Sequence, residues 1–459
     1  MNKKLNIFFA SLLLFTCFSC EKFLDRDPLS QVGADDFFNS ETNATAAVNG
    51  MYRTLLSSFT YGQTMVIIPE FSAGHVSHTG SFPEYELFAT DSLVAANAWT
   101  TNSWQGIYAT INSANNIIKH VPEMDASLIS EQKGNEFVGE AKFVRALSYF
   151  YLVRAFGNVP LKLEPTEETE NPVVDQAAPA VIYDQIIKDL TEAEETLPAS
   201  YADVPTTKGR AHVNTAKALL AKVHLYHASI TNDYSKALEY SEEILALTDY
   251  SLVGDYGSIW SAENTTESIF ELQFDNQATN PLAAVSNANA SLLFYVKPEN
   301  RINTLYADED KRKDATLVQA TVNSTDRIIM GKFPNFNPAI QNLPLIRLSE
   351  IYLIHAEAAA RVSNSVSTEA YNSLKAVQER AGLTPDAIGS FTSVNDFVKK
   401  VQLEKELELL FEGETWFDFC RTGLALEVLP WVSNENQFLY PIPPSQIAIN
   451  PSLEQNPGY

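Results

Sequence analysis

Small residues recurring at helical spacing constrain this chain more than any other feature. In the stretch 214–228, Ala221 and Leu225 share one stripe; in 234–247, Ala237, Ser241 and Ile244 share another, with 229–233 as the turn between them. Small side chains on facing stripes let two helix axes approach closely, so the spacing predicts a tight helical hairpin. The pattern returns in 351–360 and 368–381, where Ala356 is followed by Ala370, Leu374 and Val377 at the spacing of Ala237, Ser241 and Ile244. Two hairpins at matching offsets predict tetratricopeptide-like helix pairs, each burying its face against the next.

Further helices follow from the same period. Trp104, Ile107, Tyr108, Ile111, Ala114, Asn115 and Ile118 lie at 3- and 4-residue steps and stop at Val121-Pro122. Phe137, Ala141, Val144, Leu147, Ser148, Tyr151, Leu152 and Ala155 keep one face small or apolar until Gly157 and Pro160, which are C-terminal stop signals. Ile182, Ile186, Leu190 and Ala193 mark a helix over 180–197. Two stretches lack this period. The first, 61–98, is rich in aromatic, Gly, Ser and Thr residues, and 276–344 is rich in Asn, Thr and Pro. Ordinary connections run about 4–6 residues, so excursions this long on a helical scaffold are where function is expected. The predicted fold is mainly α: a helix-pair scaffold with long irregular loops and a few short strands, the loops being where a binding site is to be sought. Its expected segments are a leader over 1–19 and regions 20–230, 231–275 and 276–459, with 20–459 forming one compact unit.

The leader reads as an export signal. Asn2, Lys3 and Lys4 precede an apolar run over 7–18, too short for the about 20 residues that span a bilayer. Ser19 before Cys20 is the arrangement at which bacterial lipoprotein signals are cut, leaving a cysteine whose thiol takes the lipid. Acyl chains then hold the protein at a membrane, each buried CH₂ adding about 0.8 kcal/mol. Net charge fits this reading. The full chain carries −25, and removing Lys3 and Lys4 makes the remainder more acidic still, so anionic lipid repels it and no basic patch anchors it. The same acidity argues against a nucleic-acid partner. With three cysteines, two of them in the first twenty residues, neither a disulfide framework nor a zinc-ligand spacing is present; Cys420 is expected to act as a small buried hydrophobe.

Several segments resemble the RagB/SusD family of Bacteroidetes outer-membrane nutrient-binding lipoproteins, in the right order over nearly the whole chain after the leader. They are Phe23-Leu24-Asp25 with Pro28; Tyr108, Ile111, Ala114 and Asn115; 140–147 running to Gly157-Asn158-Val159-Pro160; Gly209-Arg210-Ala211 leading to 218–221; 347–353 with Ala356-Glu357-Ala358; and 380–383. The most specific are Glu412-Gly413-Glu414-Thr415-Trp416-Phe417-Asp418 with Arg421, and the tail with Tyr440-Pro441-Ile442-Pro443, Asn450-Pro451 and Asn456-Pro457-Gly458-Tyr459. The resemblance implies a tetratricopeptide-like scaffold and a surface-exposed lipoprotein of the outer membrane that sits as a hinged lid over a SusC-like TonB-dependent transporter. It implies capture of glycans, with peptides as an alternative cargo, and nothing in it implies catalysis; no cofactor is expected, and a structural Ca²⁺ is unsupported by any ligand spacing.

Most family motifs read as scaffold. Arg145 and Arg210 are expected in structural ion pairs or carbonyl caps, Trp416 and Phe417 in the core, and Trp260 and Trp431 likewise. Charges in 404–408 alternate with Leu403, Leu407, Leu410 and Phe411, which predicts a solvated helix face. Sugar recognition needs flat apolar rings for C–H faces and planar amides or carboxylates for paired hydroxyls. Trp99, in a polar stretch just before the Trp104 helix, is the first candidate, with Asn97 and Asn102 as hydrogen-bonding neighbours. Tyr61, His75, His78, Phe82 and Tyr85 are alternatives on the same excursion, and Phe294 and Tyr295 on the second. A surface glycoside hydrolase is the rival enzyme class. Glu70 with Glu84 or Asp91 are conceivable carboxylate pairs, but among 57 acidic residues any pair is weakly informative. His355-Ala356-Glu357 lacks the second His of a helical zinc-protease motif.

Overall fold

The computed structural model describes residues 37–90, 92–166, 173–289, 291–298 and 301–459, so the leader, Cys20 and the Phe23–Asp25 motif lie outside the described residues. The principal helices are α1 (Glu41–Leu55), α2 (Thr64–Ser72), α3 (Ala98–His120), α4 (Glu131–Phe156), α5 (Pro179–Thr196), α6 (Val213–Thr231), α7 (Ser235–Leu245), α8 (Leu348–Val362), α9 (Thr368–Arg380), α10 (Val394–Glu408) and α11 (Thr415–Thr422). Strands are short and pair two by two, all antiparallel: β1 (Val76–His78) with β5 (Phe294–Val296), β2 (Val159–Pro160) with β3 (Gln176–Ala177), β4 (Ser268–Leu272) with β8 (Leu343–Arg347), and β6 (Leu317–Val322) with β7 (Thr325–Met330).

Helix pairs form where the small residues recur. Ala237, Ser241 and Ile244 of α7 are fully buried, as are Ala370, Leu374 and Val377 of α9. α6 packs on α7, α8 on α9, and α7 on α8, so the two hairpins stack as consecutive repeats. Asn232, in the left-handed region at φ 56°, ends α6 and turns the chain into α7. α4 begins at Ser130, whose hydroxyl accepts from the Lys133 N–H, and ends at Gly157. That glycine has φ +69°, and a Cβ there would sit 2.8 Å from Leu439 Cδ1, so both backbone and packing require Gly. One hydrophobic cluster draws on residues from Phe38 to Leu453 and joins the helix pairs to the carboxy-terminal segments.

Charge runs through this core in two buried networks. Arg347 pairs with Glu267 (3.0 Å), Glu408 (2.5 Å) and Glu412 (2.8 Å), while Glu408 also meets Arg312 (3.0 Å) and Arg380. Beside it, Arg154 and Lys222 meet Glu414 (2.7 and 2.9 Å), Lys405 meets Asp418 (2.5 Å) and Arg421 meets Glu357 (2.7 Å). Glu404, Lys405, Glu406 and Glu408 are all buried, which overturns the solvated face expected for 404–408. Partners far away in sequence neutralise them, and no period within α10 reveals those partners. Arg145 makes a bidentate pair with Asp189 (2.8 and 2.7 Å), and Arg210 makes one with Glu140 (2.9 and 2.6 Å), so both sit in structural ion pairs. Trp416, Phe417 and Trp260 lie in the core. Cys420 is half-buried against it, and desolvation raises its thiol pKa well above the usual value.

Candidate functional site: an aromatic stack where two excursions meet

The two irregular excursions are one site in space. α2 is buried along its whole length, Glu70 included, and the chain leaves it through Gly74 into β1. β1 pairs with β5 of the second excursion in the register Ser77↔Tyr295 and His78↔Phe294. The Lys297 N–H donates to the His75 carbonyl (2.8 Å), the Thr79 N–H to the Leu293 carbonyl (2.8 Å), and the Thr79 hydroxyl to the Leu292 carbonyl (2.7 Å).

His75 locks this join to the scaffold. Its Nδ1 lies 2.6 Å from Glu70 Oε2 and its Nε2 3.1 Å from Glu406 Oε1 on α10, all three groups being buried. Burial opposes an imidazolium, but the Glu70 and Glu406 carboxylates more than reverse that effect and lift the pKa to about 9. Glu70 also accepts from the Gly413 N–H (2.8 Å), so it is a buried structural acceptor rather than an exposed carboxylate.

Above β1 a short helix, Pro83–Glu86, opens with Pro in its first turn and lays Tyr85 across the sheet. Tyr85 is sandwiched between Phe71 (ring centroids 5.0 Å apart, planes 14°) and Trp99 (4.4 Å, 17°). Phe294 meets Tyr85 edge-on at 5.2 Å and 90°, completing a packed aromatic block. Its inner rings, Phe71, Tyr85 and Phe294, are buried. Its outer rings reach the surface: Trp99 is half-buried and Phe82, edge-on to His78 at 6.0 Å, is 43% exposed. His78 is buried beneath Phe82, and the exposed carboxylate of Glu86 lies 3.6 Å from its Nε2.

The sequence candidates therefore separate. Trp99 is not in a loop before a helix; it lies in the first turn of α3, because the Asn97 side chain accepts from the Trp99 N–H (2.9 Å) and starts the helix there. Asn97 is buried and also donates to the Glu84 carbonyl (2.9 Å), so both ends of its amide are engaged within the protein. Asn102, three residues on and half-buried, shares a helix face with Trp99. Tyr61 is core, edge-on to Tyr151 at 6.2 Å. Tyr85 and Phe294 support the stack from inside. Tyr295, next in β5, points to the opposite sheet face, as strand alternation requires, and carries the Arg327 guanidinium over its ring at 4.1 Å. Phe71, the base of the stack, was missed because Pro69 and Glu70 interrupt the apolar run before it and leave it without a readable helical period. Trp431 is not fully in the core: it packs against it half-buried and lines a cavity, its Nε1–H donating to the carbonyl of the buried Ser72 (3.0 Å).

Among the described residues no group of three or more His, Cys, Asp or Glu is placed to hold a metal ion, and no helix is long and apolar enough to cross a membrane. Asp91, one of the carboxylates considered for a hydrolase, lies outside the described residues.

Known proteins share this architecture. Residues 22–225 match the family model described as starch-binding, associating with outer membrane, and residues 250–435 match that of the SusD family. SusD-like protein P25 of Formosa agariphila is 26% identical, the match covering 99% of each chain. A SusD superfamily structure from Parabacteroides distasonis superposes with a TM-score of 0.78 at 25% identity, over 91% of this chain and 99% of that one. A laminarin-binding SusD-like protein superposes with a TM-score of 0.76 at 26% identity, over 92% of this chain and all of the other. With both halves matched in order and the fold reproduced almost end to end, the chain belongs to the SusD/RagB family.

Proposed function

We propose that this protein captures glycans at the cell surface, without chemistry, and passes them to a SusC-like TonB-dependent transporter, held at the outer membrane by lipid on Cys20. The observation that carries the reading is the aromatic stack: three parallel rings backed by a core, ending in a Trp99 face edged by the exposed Phe82. Pre-stacked rings lose little freedom when a sugar ring lies on them, which is what a surface platform for a flexible polymer needs. Asn102 and Glu86 flank the platform with the planar amide and carboxylate that pair with adjacent hydroxyls. The likeness to a laminarin-binding protein supports a glycan as the cargo and makes β-glucans the first to try.

The test is retardation in native gels cast with laminarin, starch, xylan or galactan. Retardation by at least one polysaccharide is expected, with Trp99→Ala weakening binding by about 2 kcal/mol, roughly 30-fold in Kd. Migration unaffected by any glycan, together with binding to peptides, refutes the glycan reading. Release of reducing ends by the purified protein alone refutes the non-catalytic one, and recovery in a soluble fraction rather than with the outer membrane refutes the lipid anchor.

A further inference from the structure

The 83–97 segment borders a second aromatic recess. Tyr85 enters the platform, whereas Phe88, Thr90 and Leu93 line a separate cavity of about 220 Å³ built largely from the carboxy-terminal tail. Its walls are aromatic. Trp416 and Tyr440 lie parallel at 4° with centroids 6.4 Å apart, Phe88 meets Tyr440 edge-on at 5.5 Å, and the half-buried Trp431 and Tyr459 complete the lining.

Trp431 is fixed in place. Its Nε1–H donates to the Ser72 carbonyl (3.0 Å), the Lys297 ammonium sits over its ring at 5.1 Å, and its edge abuts Gly74 so closely that a Cβ there would overlap the ring. The polar rim is equally constrained. Gln437 accepts from the Ser433 N–H (2.6 Å) and donates to the Trp431 carbonyl (3.0 Å), while Asn434 accepts from the Asn436 N–H (3.0 Å). These bonds hold the exposed Asn436 amide at the mouth, and that amide makes no side-chain hydrogen bond among the described residues.

None of the side chains lining the cavity is charged, although the chain as a whole carries −25. The Lys297 ammonium beside it is engaged over the Trp431 ring rather than lining the recess. Pinned ring faces beside the Asn436 amide and the Ser433 hydroxyl, which donates to Gln437 Oε1 (3.0 Å) and accepts from the Asn434 amide (3.1 Å), suit a neutral ring that has one apolar face and several hydroxyls. The volume falls below the about 300–1,000 Å³ of drug-sized ligand sites, which fits one ring rather than a chain. We propose that the recess between Trp431, Tyr459 and Asn436 is a second subsite, which binds a single neutral pyranose unit. It takes its ligand class from the glycan reading above, and the two fail separately in the following experiment.

The protein has five tryptophans, so its ¹⁵N-labelled form gives five indole N–H signals, and Trp431→Phe identifies that of Trp431. Titration with methyl glucopyranosides, galactopyranosides and xylopyranosides is expected to move the Trp431 signal saturably with at least one of them. Trp99→Ala is expected to leave that shift intact. Asn436→Ala removes an exposed amide with no protein partner, so it folds normally and weakens binding about fivefold, the loss of one neutral hydrogen bond. A Trp431 signal unmoved by every pyranoside overturns the proposal, as does an unchanged Kd in both Asn436→Ala and Ser433→Ala. Retardation by a polysaccharide with a silent Trp431 sinks this subsite alone; a saturable Trp431 shift without retardation by any polysaccharide sinks the platform alone.

Discussion

Replacing His75 by Gln tests whether a buried cation holds the join of β1 and β5 to the scaffold. Gln keeps the size and a donor but leaves Glu70 and Glu406 facing each other without a positive charge; Arg301, which also reaches Glu406, is the remaining cation there. A rise in pKa from 6.5 to about 9 is worth about 3 kcal/mol at 1.36 kcal/mol per pH unit. Because the folded pKa lies above the unfolded one, this stabilisation is complete below pH 6.5 and disappears as pH climbs through about 9. An unfolding entropy of about 2.1 cal/mol/K per residue amounts to about 1 kcal/mol/K for 459 residues. The variant should thus melt about 3 °C below the wild type at pH 6 and only a fraction of a degree below it at pH 9.5. Calorimetry at both pH values measures the gap, and the imidazole resonances of the wild type report the pKa directly. A gap of equal size at both pH values refutes the reasoning, as does a His75 that titrates at or below 6.5.

The remaining predictions concern the same framework. Glu408→Gln strips the shared acceptor of Arg347, Arg380 and Arg312, leaving buried guanidinium groups short of charge, and should cost about 3–5 kcal/mol in denaturant unfolding. The Glu408 pKa is held far down because, although burial raises it, the three arginines outweigh burial. Its contribution is therefore present above the ordinary carboxylate range and fades only as pH falls below it, opposite in direction to His75. Gly74→Ala forces a side chain into φ +74° and into the Trp431 ring, so it should lower the melting temperature and change tryptophan emission. Phe82→Ala, at an exposed ring, should leave stability within about 0.5 kcal/mol of wild type while weakening glycan retention; unchanged retention would remove Phe82 from the platform.

The scaffold was legible because its signals are local. Small residues at 3- and 4-residue steps, Gly157 with Pro160, and Val121-Pro122 each act within a turn or two of the helix they shape or end. The excursions stood apart from the helix pairs because they lack that period. What lay hidden depends on contacts distant in sequence. Nothing in Glu404-Lys405-Glu406-Leu407-Glu408 tells a solvated face from one neutralised by Arg312, Arg347 and Asp418. Tyr295 and Phe294 are equivalent on paper until the β1 register assigns one to each face. Trp99 was misplaced because a polar run, Thr100-Thr101-Asn102-Ser103, masks a helical turn that Asn97 caps.

The pairing of β1 with β5 bears on the order in which the molecule assembles. The Thr79–Leu292 bond closes a loop of 213 positions, whereas the helix hairpins are built from neighbours in the chain. Local contacts form early and long-range pairings late, because loop closure must come before any pairing energy is gained. A folding chain therefore raises its hairpins first and leaves the Tyr85, Phe294 and Trp99 rings uncovered until β1 and β5 pair. During that interval these rings are open to other unfolded chains, for as long as the β1–β5 join takes to close.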